Sequence, residues 1–482
     1  MAVRRVLTSI AVAAIWLAVP CEALASPRSD PSTGRAVFTG STLAHPTSLT
    51  LNPAALSIDK TRTNLYFALL SSLQQTTVDT QNLDLDTGTY AQGERVRDTQ
   101  LAPGGQFAWI RRGSDRLALG FEARVPPREM QLENHDALRY STLGGGQRGL
   151  ITTVGVSVKL AGRVHLGASL THEITMLRLR YARDSALENG YGVNGIASDC
   201  GGTPCGVGNP LASETYDVDV RSGYVSAQNL RLNLGVAVRL ASQVWIGLAY
   251  HTPPGLNVQT TLDGTMTVTQ APRDGGTTLV GSGTVYVSYP ASLDGELRAR
   301  IWNNLDLHIG GRWEDLSRFA VYDVRGVGST FRNAGVPEWM PRTRGLHDAF
   351  SMWAGVEQHD TGGRLLLGGR VGFETSSVEA RRTSPLSIAP PALTLDIGVQ
   401  GRVVRGAPWS VQLSYGAALS PTVSVGSEGA FNPLHRLDCI DANYDYTAAG
   451  CEATREGYAA SLGAGDYTRI SHNLRLGFLY EW

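Results

Sequence analysis

Asp306, His308 and Glu314 fall within one short stretch, and a histidine beside carboxylates is the pairing that general acid–base chemistry needs. No serine or cysteine nucleophile stands at a spacing that would complete a triad with them, and no motif of metal-ligand spacing occurs anywhere in the chain. His308 is therefore read as an ordinary polar residue of an alternating segment. No enzymatic activity, cofactor or metal is expected. Cysteine chemistry points elsewhere. Cys200 and Cys205 form one close pair and Cys439 and Cys451 another, both in stretches rich in Gly and Asp. In an exported protein such pairs predict two short structural disulfides rather than a metal site, since no histidine is suitably spaced beside them.

Export follows from residues 1–25. Arg4 and Arg5 are followed by an apolar run from Val6 to Val19 and by Ala23-Leu24-Ala25, a small-x-small cleavage site, so a signal peptide is expected there. Cys21 is preceded by Pro20, where a lipidation signal needs a small residue, so no lipid anchor is expected. The balance of 42 basic and 43 acidic residues gives no pull toward nucleic acid. Past the signal, no run of about 18 or more apolar residues offers a membrane-spanning helix. An exported soluble protein and a membrane β-barrel remain.

The elements that must position the charged residues are strands, because apolar and polar residues alternate with period two over long stretches. In Asn229–Ala241, Leu230, Leu232, Leu234, Val236, Val238 and Leu240 oppose Asn229, Arg231, Asn233, Gly235, Ala237 and Arg239. The final segment, Arg469–Trp482, sets Ile470, Leu474, Leu476, Phe478, Tyr480 and Trp482 against a polar face. Consecutive strand side chains point to opposite faces. Strands of a soluble sandwich average about five or six residues, whereas these run to about ten or more, which suits a tilted strand crossing a bilayer. Mixed charges on the polar faces, among them Glu122, Arg124, Arg231, Arg298, Arg312, Arg370 and Arg475, suit a wet barrel interior.

Short polar links at 111–115, 161–163, 241–242, 302–304, 359–363 and 405–408 alternate with longer connections near 79–100, 126–150, 180–227, 269–278, 324–343, 383–390 and 426–463. Short periplasmic turns and long extracellular loops alternate in this way in outer-membrane barrels. The links divide the chain into 14 strands, so the fold expected is all-β: a 14-stranded antiparallel transmembrane β-barrel over 63–482. Residues 26–62 do not alternate, and a barrel of that size encloses more space than wall side chains fill, so this segment is expected to plug the lumen.

In this arrangement the chain resembles the FadL family of outer-membrane transporters. The likeness begins at Thr33-Gly34-Arg35-Ala36 and at Asn52-Pro53-Ala54, similar to the family's N-terminal hatch. It continues through Tyr289-Pro290-Ala291, Trp313-Glu314-Asp315-Leu316-Ser317, Asp348-Ala349-Phe350 and the loop from Ser384-Pro385 to Pro391. The resemblance implies passive, gated passage of a hydrophobic small molecule, such as a long-chain fatty acid, through a plugged barrel with a lateral exit at the third strand. Val125-Pro126-Pro127 ends that strand here. It also implies a ligand site: Arg180 and Arg342 to hold a headgroup, Tyr181 and Phe319, with Trp339 and Met340, to line the pocket, and Asn52, Pro53 and Ala54 in the hatch. The partners expected are the hydrophobic ligand and outer-membrane lipid, with the protein a monomer. A general diffusion porin and a surface-binding or structural barrel are the alternative readings.

Overall fold

The computed structural model describes residues 37–58, 63–83, 89–127, 129–130, 132–184, 198–199, 204–205, 214–334, 336–360, 364–402, 404, 406–427, 430 and 463–482. The expected signal peptide and Cys200, Cys439 and Cys451, on which both disulfides depend, lie outside these residues, as do 26–36 and 59–62 of the expected hatch.

Sixteen strands of eight residues or longer organise one antiparallel sheet. They are β1 (Thr63–Leu83), β2 (Tyr90–Arg112), β3 (Leu117–Val125), β4 (Gly144–Ala161), β5 (Val164–Asp184), β6 (Val225–Ala241), β7 (Val244–His251) and β8 (Thr260–Thr269) in the first half. The second half holds β9 (Thr278–Val287), β10 (Ser292–Trp302), β11 (Leu305–Glu314), β12 (Ala349–His359), β13 (Leu365–Glu374), β14 (Ala392–Arg402), β15 (Trp409–Leu419) and β16 (Gly465–Glu481). The sheet closes where β1 pairs with β16 from Asn64↔Glu481 to Thr80↔Gly465. Thr63 and Trp482 exchange backbone hydrogen bonds of 3.1 Å at the seam.

The count of 14 strands is thereby corrected to sixteen. Residues 243–268 and 279–301 each read as one strand, but each is two. Pro253-Pro254 divides β7 from β8, and Pro290 divides β9 from β10. Proline has no N–H for the ladder and a fixed φ, and beyond Pro254 Leu256 and Asn257 adopt positive φ of 52° and 84°. β7 then pairs directly with β10, from Val244↔Ala299 to His251↔Ser292, while β8 and β9 form their own hairpin over ten residue pairs.

Along β5 the alternation is plain. Leu166, Leu170 and Met176 are exposed, while His165, Ser169, Thr171 and Thr175 are buried. A surface that exposes leucine and buries threonine and serine inverts the usual soluble pattern and suits contact with lipid. From Leu166 to Met176 the strand rises about 33 Å along its axis, or roughly 25 Å of height at a tilt of about 40°, which is the height of a bilayer's apolar belt. Leu170 lies near the middle of that belt, so Leu170→Arg is expected to cost roughly 2–4 kcal/mol in equilibrium unfolding from lipid vesicles. A cost near zero would remove Leu170 from the lipid midplane.

Candidate functional site

Two groups of residues meet inside the wall. The lower one is built on residues 37–58, nearly all buried. Asn52 caps the short 3-10 helix Pro53–Ser57: its Oδ1 accepts from Ala54 N at 3.1 Å, and Pro53, lacking a donor, fills the first helical position. The Nδ2 of Asn52 donates to Ser41 O at 2.8 Å and to Val236 O of β6 at 3.0 Å, so one side chain ties the helix, the preceding turn and the wall. Glycines make room for this approach. A Cβ on Gly235 would come within 2.0 Å of Asn52 Oδ1, and one on Gly167 within 2.2 Å of Ala54 N.

Other wall strands grip the same segment. Ser57 Oγ lies 2.7 Å from both Ser157 Oγ and His165 Nδ1. Thr50 Oγ1 donates to Glu122 at 3.1 Å, Phe38 N to Glu357 at 2.9 Å, and Arg475 Nη2 to Val37 O at 2.7 Å. Thr42 donates to Glu296. His308 sits between Glu296 and Glu357, 3.5 Å from each. The histidine–carboxylate group thus holds backbone of residues 38–42 in place. Asp306 and Glu314 bind Arg300 at 2.7 Å and Arg312 at 2.8 Å. No group of three or more candidate metal ligands occurs among the described residues.

The upper group lies where β5 rises past the apolar belt. Its inward residues change there from Thr171 and Thr175 to Leu177, Leu179 and Tyr181, which join a buried apolar cluster with Phe319, Tyr322 and Met340. Phe319 packs on Tyr289 at 5.3 Å and edge-on to Tyr322 at 5.6 Å between ring centroids. Into this apolar cluster two guanidinium groups project. Arg342, 2% exposed, stands 4.1 Å over the Tyr181 ring, and its Nη2 donates to Tyr140 O at 2.7 Å and Ser141 O at 2.5 Å. Its Nε has no hydrogen-bond partner among the described residues. Arg344 stands 4.3 Å over Phe319. Burial, with the charge of Arg183 nearby, pulls Arg342 down to about 10, and it stays cationic at neutral pH.

The structure brings Tyr181, Arg342, Phe319 and Met340 together. Trp339 stands beside them, only half-buried, its Nε1 donating to Asp323 at 2.6 Å. Arg180 is not brought there. It is the neighbour of Tyr181 on a pleated strand, so it points to the opposite, outer face, where it pairs with Asp219 at 2.9 Å. Sequence reasoning missed Arg183 and Arg344. Arg183 was within reach, since it shares the parity of Tyr181.

The wall is interrupted beside this cluster. The β2–β3 ladder ends at Gly105↔Val125, and β4 pairs with β3 only from Ile151 to Val158. Above that, residues 90–104 of β2 bond to β1, and among the described residues they carry no ladder on their other side. Pro126-Pro127 turns the chain away at that point, with Gly104 so near Val125 O that an added Cβ would lie 2.6 Å from it.

A family model described as outer membrane protein transport protein (OMPP1/FadL/TodX) matches residues 22–386. Among solved structures, a Pseudomonas aeruginosa FadL homologue is 14% identical and superposes with a TM-score of 0.69, covering 95% of this chain and 99% of its own. The Pseudomonas putida toluene transporter TodX is 13% identical with a TM-score of 0.60, covering 93% of this chain and 97% of its own. The Ralstonia pickettii toluene transporter TbuX is 15% identical at 0.58, covering 94% and 98%. At such identities these likenesses speak to fold. No curated protein sequence matches the chain.

The glycine seat has a measurable consequence. Gly235→Val and Gly167→Val should each destabilise the protein by about 1–3 kcal/mol through overpacking against residues 52–54. Gly401→Val, where an added Cβ meets nothing closer than 3.9 Å, should stay within about 0.5 kcal/mol. Urea midpoints in lipid vesicles compare the three.

Proposed function

The chain belongs to the outer-membrane transport family OMPP1/FadL/TodX, whose members carry hydrophobic compounds across that membrane and are not enzymes, and from that premise we propose that it admits long-chain fatty acids by passive, gated diffusion. The observation that carries the choice is the buried Arg342 beside Arg183 in an otherwise apolar cluster. An alkane gains nothing from a desolvated guanidinium, and an aromatic hydrocarbon gains only a cation–π contact. A carboxylate with an alkyl chain matches it: the headgroup accepts from Arg342 Nε, and the chain lies against Tyr181, Phe319 and Met340. Burying a cation in apolar surroundings is costly unless it is paired, so Arg342, whose Nε has no partner among the described residues, favours a ligand that brings the opposite charge.

Residues 26–62 act in this reading as the hatch, with Asn52, Pro53 and Ala54 at its fixed end. The bonds from Asn52 to Ser41 and Val236 and the close glycine approach support a seated plug rather than an open pore. The upper part of β2, which among the described residues has a ladder only to β1, supports a sideways exit into lipid, which spares an apolar ligand a water-filled path. The protein works as a monomer, since each barrel holds a complete site.

Replacing Arg342 by Gln should weaken oleate binding about tenfold or more, the worth of a charge-assisted hydrogen bond, and leave toluene binding unchanged. Equal loss of both ligands, or of neither, would argue against carboxylate recognition. In liposomes the intact protein should pass oleate and exclude a small sugar, and deletion of residues 37–56 should let the sugar leak, with gel mobility before and after heating to show that the barrel still folds. Sugar passing the intact protein would identify an open porin instead.

A further inference from the structure

The outer face of the wall carries four arginines at one height: Arg148 on β4, Arg178 and Arg180 on β5, and Arg221 on the short strand Asp217–Ser222 that continues the sheet beside β5. Parity places them outside, for the residues between them, Leu177, Leu179, Val220 and Ser222, are buried. Register sets them together. Arg180 is directly opposite Arg221, Arg178 is opposite Gly146, and Arg148, opposite Met176, is one diagonal step from Arg178. Like charges directly across a ladder destabilise a sheet. Two acids are near: Asp219, paired with Arg180 at 2.9 Å, and Glu133, which packs beside Gly144. Among the described residues Arg148, Arg178 and Arg221 form no ion pair.

The height of this group matters as much as its charge. Met176 and Leu150, immediately below on β5 and β4, are exposed apolar residues at the top of the lipid-facing belt. Tyr224, 47% exposed, lies alongside with Arg148 5.6 Å above its ring, the placement of an aromatic residue at a membrane–water boundary. Arg178 and Arg180 therefore begin where acyl chains end and headgroups start. Gly146 contributes no side chain opposite Arg178.

We propose that this outer-face cluster is a binding site for the phosphate groups of a phosphorylated glycolipid in the outer leaflet. Guanidinium forks match phosphate oxygens bidentately, and several anionic oxygens fixed at headgroup depth relieve the repulsion between Arg180 and Arg221. A lipid whose chains lie along Leu170, Ile174 and Met176 presents its phosphates at this level. The site is on the opposite side of the wall from the Arg342 cluster, so it stands or falls independently of the proposed ligand.

The test is native mass spectrometry of the full chain in detergent, with bis-phosphorylated lipid A, the same lipid dephosphorylated, and inorganic phosphate as probes. The wild-type protein should retain the phosphorylated lipid, with retention falling at least about tenfold in the combined Arg178→Gln, Arg180→Gln, Arg221→Gln variant. Asp219→Asn, which removes a competing acid, should raise retention. Equal retention by the triple variant, equal binding of the dephosphorylated lipid, or displacement by inorganic phosphate at matched concentration would overturn the proposal. Should the triple variant fail to fold, as judged by gel mobility before and after heating, unchanged retention by Asp219→Asn would overturn it alone.

Discussion

A strand in hydrocarbon must place every backbone N–H and C=O in a ladder, because lipid offers no partner for them. The pairing of β1 with β16 over seventeen positions meets that demand by closing the sheet. Closure fixes which side of each strand is inside, and the pleat then sorts every residue by parity. Apolar residues such as Leu170 and Leu230 turn to lipid, and polar ones such as Thr171 and Asn229 turn inward. A wet interior follows, and with it the need for something to fill and seal it.

The inner segment, residues 37–58, touches the wall through two kinds of contact. Its second half, Asn52–Ser57, is held by shape, with glycines on β5 and β6 letting backbone approach backbone. Its first half, Val37–Thr42, is held by shape and by charge together: Gly398 and Gly368 make room for Val37 and Phe38, and Glu296, Glu357 and Arg475 bond to it. Close packing and charge-assisted hydrogen bonds thus fix both halves against the wall.

The fold was legible in the sequence wherever parity ruled. Leu230 to Leu240 and Leu474 to Trp482 announce lipid-facing strands without any other information, and Leu479, the exception on the polar face, is buried against Tyr66. The strand count went wrong where an alternating run crossed proline. Apolar residues continue on both sides of Pro253-Pro254 and of Pro290, so composition hides the break, and only the missing N–H reveals it. The site was legible in part. Tyr181, Arg342 and Phe319 come from distant stretches and meet in one cluster. Arg344 could not be found, because it reaches Phe319 from an irregular connection that has no period to read.

Arg180 shows why adjacency along the chain is a poor guide to adjacency in a barrel. Successive residues of β5 separate into two environments: Tyr181 and Arg183 enter the protein, while Arg178 and Arg180 remain at its lipid boundary. The same residue type then does opposite work. Inside, a guanidinium has lost its water and raises the affinity for any anion that enters with an apolar tail. Outside, it keeps its water in part and meets the headgroup layer, where charge anchors the barrel at a fixed depth. A single strand with cations of both parities therefore does two things at the same level of the membrane. It sets Arg178 and Arg180 on the outer face of the wall, and it sets Arg183 inside near the buried Arg342.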